Sequence, residues 1–238
     1  SVDGKVPCAY TGGESGLKVM LLAAGRGERM GRLTDKCPKP LLKVAGRSLI
    51  EHHIVALKQQ GFEDIVVNLA YLGDQIKQTL GSGAQWGVNI AYSDEGEQAL
   101  ETGGGIYKAL PLLGEEPFLV VNADVWTDFP YASLLNKTTD QMHLVLVNNP
   151  PQHPQGDFSL VGDRVVLAAD KTYTYSGIGV FHPAVFAQST TAIFPLAPLI
   201  REHILHAEVG GEIYAGDWTD VGTPDRLAEL EQTLKFKL

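Results

Sequence analysis

The chain has 238 residues, is 44% hydrophobic and 20% charged, and carries a formal net charge of −9. That length suits one large domain with a well-buried core and is short for two independent ones. The acidic balance excludes a general binder of nucleic acid or anionic membranes, whose footprint is basic, and no apolar run reaches the length of a membrane span.

Two cysteines, Cys8 and Cys37, give neither a disulfide framework nor metal-ligand spacing, so the plain reading is a reduced, cytoplasmic protein. Ser1 to Leu17 lacks periodicity and reads as an extension ahead of a single domain over residues 18–238. From Lys18 the pattern alternates strand and helix. Val19 to Ala23 is a short apolar run, as in a strand covered on both faces. Ser48 with Glu51 three residues later predicts a capping box, with Ile50, Ile54 and Leu57 on one helical face and Gly61 ending the helix. Ile65 to Ala70 reads as strand, Leu72 to Leu80 as helix and Val88 to Tyr92 as strand. A helix over Gly103 to Leu113 is entered through three glycines, and Phe118 to Asn122 is another buried strand.

After Asp124 the texture changes. His143 to Asn148, Asp157 to Val161, Arg164 to Leu167 and Tyr173 to Phe181 read as strands, suggesting a small antiparallel extension packed on the parallel sheet. An apolar helix near Leu196 to His206, a strand near Ile213 to Trp218 and a C-terminal helix capped by Thr223 with Pro224 in its first turn complete the pattern. The expected class is α/β: a Rossmann-like, mostly parallel sheet flanked by helices.

The chemistry concentrates between residues 21 and 41. A strand runs into Gly25-Arg26-Gly27-Glu28-Arg29, and Lys39 follows between Pro38 and Pro40. Small residues let backbone amides approach phosphate oxygens, guanidinium and ammonium groups supply opposing charge, and flanking prolines stiffen the lysine's segment. The dinucleotide fingerprint fails for want of its third glycine and of a ribose-binding acid, and no Gly-Lys-Ser/Thr marks a P-loop. Cys37 lies in this loop with no nearby His to activate it. Asp124 follows the strand Phe118 to Val121, where α/β sheets place their ligands and where a carboxylate can hold Mg²⁺. Glycines 103 to 105 enter a helix, which permits close approach to a base or phosphate.

Leu22-Ala23-Ala24-Gly25, the loop Arg26 to Arg29 and Pro38-Lys39-Pro40-Leu41 together resemble the signature of the sugar-1-phosphate nucleotidyltransferases, and the resemblance covers Lys18 to the C-terminus. It implies nucleotide binding by Ala23, Ala24, Gly25, Gly27, Glu28, Arg29, Lys39, Thr102, Gly103 and Gly104, with Arg29 and Lys39 catalytic. It implies Mg²⁺ on Asp124 and on Asp220, the latter in the closing motif Trp218-Thr219-Asp220-Val221-Gly222-Thr223, with Asp217 a weaker candidate. Asn122, Asp157 and Asp220 fall to the sugar phosphate. Glu28 stands where many members have Thr, and Ala123 where many have Gly. The Glu-Lys-Pro motif of many relatives is absent, which leaves Lys171 without an assigned role.

The Glu101-Thr102-Gly103-Gly104-Gly105 and Gly156-Asp157-Phe158 forms resemble the branch that joins UTP to N-acetylmuramate 1-phosphate in cell-wall recycling. Mannose- or glucose-1-phosphate as substrate is the enzymatic alternative. A non-catalytic relative that binds nucleotide sugars is the alternative of another class, and Arg29, Lys39, Asp124 and Asp220 argue against it.

Overall fold

A computed structural model of the chain describes residues 16–139, 141–189 and 191–236; Cys8 and the rest of the first fifteen positions lie outside the described residues. Strand β1 (Lys18–Leu22) leads through the glycine-and-arginine loop to a short hairpin, β2 (Lys43–Val44) and β3 (Arg47–Ser48). Helix α1 (Leu49–Gln59) starts at the expected capping box: the Glu51 amide donates to Ser48 Oγ at 3.3 Å, and the Ser48 amide donates to the Glu51 carboxylate at 2.8 Å. Ile50, Ile54 and Leu57 are fully buried, as their spacing requires. Then come β4 (Asp64–Leu69), α2 (Gly73–Leu80), β5 (Asn89–Asp94), α3 (Glu101–Leu113), β6 (Phe118–Asn122) and β7 (Val125–Thr127). The second half holds β8 (Met142–Asn148), β9 (Ser159–Val161), β10 (Arg164–Val166), β11 (Tyr173–Phe181), α4 (Leu196–Leu205), β12 (Val209–Ile213), β13 (Trp218–Asp220) and α5 (Pro224–Lys235).

Nine strands form one sheet in the order β5-β4-β1-β6-β11-β8-β12-β10-β9. The β5-β4-β1-β6 group is parallel, and its connecting helices cover both faces. Val19 and Leu21 of β1 point into a core shared with α1 and α2, while Met20 points into a core shared with α3 and α4. Alternate residues of a strand face opposite sides, so a continuous apolar run is what a doubly covered strand needs. Among the described residues no helix is long and apolar enough to cross a membrane.

Three expectations are corrected. The antiparallel strands do not pack on the parallel sheet; β11 and β8 continue it, with β11 antiparallel to β6. The strand expected over Ile213 to Trp218 is two strands: β12 lies parallel to β8 in the main sheet, while β13 pairs with β7 in a separate ribbon. Gly210 and Gly211 hide β12 from propensity, yet a Cβ at Gly211 would stand 2.5 Å from the Val165 side chain, so packing there selects glycine. The three glycines of α3 lie inside the helix, which begins at Glu101.

One buried group makes the fold acid-sensitive. His53 of α1 is 4% exposed, and burial pulls its pKa down to about 4. The unfolded chain takes up this proton below about pH 6.5 while the native state refuses it, so stability is lost as pH falls through that window, by about 3 kcal/mol at pH 4. Thermal melts of a His53→Leu variant should therefore vary less between pH 6.5 and 4 than those of the parent chain. An equal loss in both would remove His53 as the cause.

Candidate active site

The carboxyl ends of β1 and β6 lie side by side in register, Leu22 opposite Asn122, so the loops that follow leave from the same sheet edge. The first loop is anchored by a buried polar chain. Ala23 donates its amide to Asn68 Oδ1 at 2.6 Å, Asn68 Nδ2 donates to Glu95 Oε1 at 2.7 Å, and Glu95 Oε2 accepts the Leu100 amide at 2.7 Å. With every member satisfied, such a network fixes the ends of β1, β4 and β5 and the start of α3 relative to one another.

Gly27 is in the left-handed region (φ 68°), and a Cβ there would lie 3.1 Å from Lys39 Cβ. Glycine therefore provides both the turn and the room for Lys39. Lys39 opens a single 3₁₀ turn after the extended Pro38, is 7% exposed, and donates from Nζ to Asp124 Oδ2 at 2.9 Å. Arg26, which lines the cavity described below, lies over the Tyr71 ring at 3.6 Å, a cation–π contact that orients it.

The second carboxylate arrives from far along the chain. Asp220 in β13 pairs with Val125 in β7, and the Val221 amide donates to the Asp124 carbonyl at 2.7 Å. This ribbon brings Asp220 beside Asp124. Its carboxylate accepts from Arg226 Nη2 at 3.0 Å and from the Gln152 amide. The loops enclose a cavity of about 580 Å³, with Arg29, Lys39 and Asp124 in its wall.

Residues 18–236 match the profile of the family described as nucleotidyl transferase. The chain belongs to this family. It is 48% identical to the N-acetylmuramate alpha-1-phosphate uridylyltransferase of Neisseria meningitidis serogroup B, over 90% of this chain and 97% of that one. It is 34% identical to the Caulobacter vibrioides enzyme of the same name, over 90% and 96%. In fold it matches the inositol-1-phosphate CTP transferase of T. maritima with a TM-score of 0.76 at 18% identity, over 93% of this chain and 97% of that one.

Of the residues singled out from the nucleotidyl transferase signature, Ala23, Ala24, Gly25, Gly27, Glu28, Arg29, Lys39, Thr102, Asn122 and Asp124 line the cavity. Gly103, Gly104, Asp157 and Asp220 are not among its lining residues; Asp220 stands beside the cavity, two positions before the lining residue Gly222. A Cβ on Gly103 would stand 2.4 Å from the Phe194 ring, and one on Gly104 2.2 Å from the Ala192 carbonyl. Those glycines let the segment before α4 press onto α3. Thr102 also accepts the Leu196 amide at 3.0 Å, satisfying an open N–H at the start of α4. Asp157 accepts the Tyr175 amide at 2.8 Å and lies 3.0 Å from His153 Nε2, tying the β8–β9 loop to β11. Lys171 contributes its carbonyl to Asn149 Nδ2 at 2.8 Å. The Asp217 carbonyl accepts from Thr127 Oγ1 at 2.6 Å.

Sequence reasoning passed over Asn68, Glu95 and Glu101, which line the cavity, and Gln152 and Arg226, which hold Asp220. For Asn68 and Glu95 the available signal was position alone: each stands at or just past the end of a parallel strand. Arg226 lies three residues beyond the closing motif, where its spacing from Thr223 fits a helix first turn.

Proposed function

We propose that this nucleotidyl transferase joins UTP to N-acetylmuramate 1-phosphate, forming UDP-N-acetylmuramate and pyrophosphate. The observation that carries the reading is Lys39 clamped beside Asp124 at the sheet edge, with Asp220 brought opposite by the β7–β13 ribbon. The choice of base and sugar draws support from the two uridylyltransferases that match nearly the whole chain.

An oxygen of the sugar phosphate attacks the α-phosphorus of UTP, the bond to the β-phosphate's bridging oxygen breaks, and pyrophosphate leaves with that electron pair. No general base is needed, because a phosphate monoester with a second pKa near about 6 is already largely dianionic at neutral pH. The protein's work is alignment and charge stabilisation. Backbone amides of Ala24 to Gly27 and the Arg29 guanidinium would bind the departing pyrophosphate. Lys39 would place its ammonium on the α-phosphate, leaving Asp124. Asn122, at the end of β6, would donate to the sugar phosphate.

Asp124 and Asp220, whose backbones the β7–β13 ribbon brings together, would supply the hard-oxygen donors that suit Mg²⁺. Among the described residues no cluster of three His, Cys, Asp or Glu surrounds a metal position, so phosphate oxygens would complete the shell. When bound, the ion supplies Lewis-acid polarisation of those oxygens.

A pyrophosphate-release panel of four nucleoside triphosphates against several sugar 1-phosphates with Mg²⁺ tests the reading. Turnover of UTP with N-acetylmuramate 1-phosphate above all other pairs is expected. Preference for mannose or glucose 1-phosphate would replace the substrate, and silence across the panel would favour a non-catalytic binder.

A further inference from the structure

Arg226 has no part in the transfer outlined above, yet it is held at the site with care. Thr223 Oγ1 accepts the Arg226 amide at 3.3 Å and Pro224 occupies the first turn of α5, which directs the arginine side chain back over β13. That side chain is 15% exposed, and its Nη2 lies 3.0 Å from Asp220 Oδ2. Its Nε is buried with no hydrogen-bond partner among the described residues. The Gln152 amide, reaching over from the β8–β9 loop, takes the other Asp220 oxygen.

Lys39 does the same for Asp124 at 2.9 Å. Each carboxylate of the metal pair is therefore already matched by a cation of this chain. Gly222 shows how tightly the cations are grouped. A Cβ there would lie 2.0 Å from Arg226 Nη2 and 3.0 Å from Arg29 Nη2, so the two guanidinium groups stand side by side around Gly222, which with Arg29 lines the cavity. Asp220 offsets the repulsion between them, and a triphosphate is a second anion able to do so.

We propose that Arg226 is the positioning counter-ion that couples divalent-cation binding to triphosphate binding. The proposal rests on the reading of Asp220 as a metal carboxylate. For Asp220 to bind a divalent cation, Arg226 must let go. Without nucleotide, that leaves the Arg226 guanidinium, only 15% exposed and with an unpaired Nε, uncompensated next to the exposed Arg29, which is costly. With a triphosphate beside Arg29, Arg226 exchanges a carboxylate for phosphate oxygens, and the cost falls. Cation and nucleotide then bind with positive coupling, and by linkage each tightens the other equally.

The test is Mn²⁺ binding followed by electron paramagnetic resonance, with and without a non-hydrolysable UTP analogue and corrected for Mn²⁺ held by the analogue alone. In the parent chain the analogue should tighten Mn²⁺ binding by about tenfold or more. Arg226→Gln should bind Mn²⁺ several-fold more tightly than the parent without nucleotide and lose most of the coupling. Arg226→Lys keeps the charge and should keep part of the coupling, which guards against a folding defect in the Gln variant. Unchanged or weaker Mn²⁺ binding by Arg226→Gln in the absence of nucleotide overturns the proposal. Asp220→Asn tests the foundation separately: Mn²⁺ binding equal to the parent's would remove Asp220 from the metal site and the coupling with it. UTP turnover by the parent chain is judged independently of either result.

Discussion

Asp124→Asn is expected to abolish nucleotidyl transfer while leaving the chain folded. The Asp124 side chain is 41% exposed, so a neutral amide of the same shape meets water as readily as protein. The backbone carbonyl that accepts the Val221 amide at 2.7 Å is untouched, so the β7–β13 ribbon remains. What changes is charge. The amide oxygen can still accept from Lys39, so loss of the counter-charge beside this 9% exposed side chain costs about 1–3 kcal/mol, less than the stability of a typical folded domain. Holding a divalent ion against two polyanionic substrates requires a full carboxylate charge, and that is gone. Pyrophosphate release and a thermal melt on the same preparation check both halves. Normal turnover in Asp124→Asn would end the metal assignment.

Lys39→Ala should lower kcat/KM by about 10²–10³-fold, the magnitude for removing one preorganised donor from a transition state. The ammonium is held by a one-turn 3₁₀ segment between two prolines and by Gly27, whose missing Cβ clears its path. It costs nothing further to orient when charge develops on the phosphates. Arginine is not a substitute. The side chain is only 9% exposed and packs against Gly27, and a planar guanidinium is broader than the compact ammonium it would replace. Lys39→Arg should therefore also lose activity in the pyrophosphate assay. Activity near the parent level in Lys39→Ala would mean that Arg29 and the loop amides carry the triphosphate alone.

Much of the fold was legible because its signals are local. The capping box at Ser48 and Glu51, the Thr223-Pro224 start of α5 and the apolar run of β6 each depend on neighbours within a few positions. β12 was not legible, because two glycines suppress its propensity and only contact with the Val165 side chain explains them. The glycines of α3 invited a ligand-binding reading, since a glycine kept for close approach looks the same in sequence whether a phosphate or Phe194 is what approaches. Gly103 and Gly104 meet protein.

By itself the sequence determined the glycine-and-arginine loop: the placing of Arg29, Lys39 and the glycines is set within about twenty residues, and short-range geometry of prolines and small residues fixes it. It also supplied Asp124 and Asp220 as carboxylates, but not their meeting. Only the tertiary structure decided that β13 pairs with β7 across more than ninety positions, and that Arg226 and Gln152 occupy Asp220 while Lys39 occupies Asp124. Register between distant strands is set by burial over the whole sheet, which no local window contains. Charge balance in the site follows from that register, so the loop was readable in the sequence and its counter-ions were not.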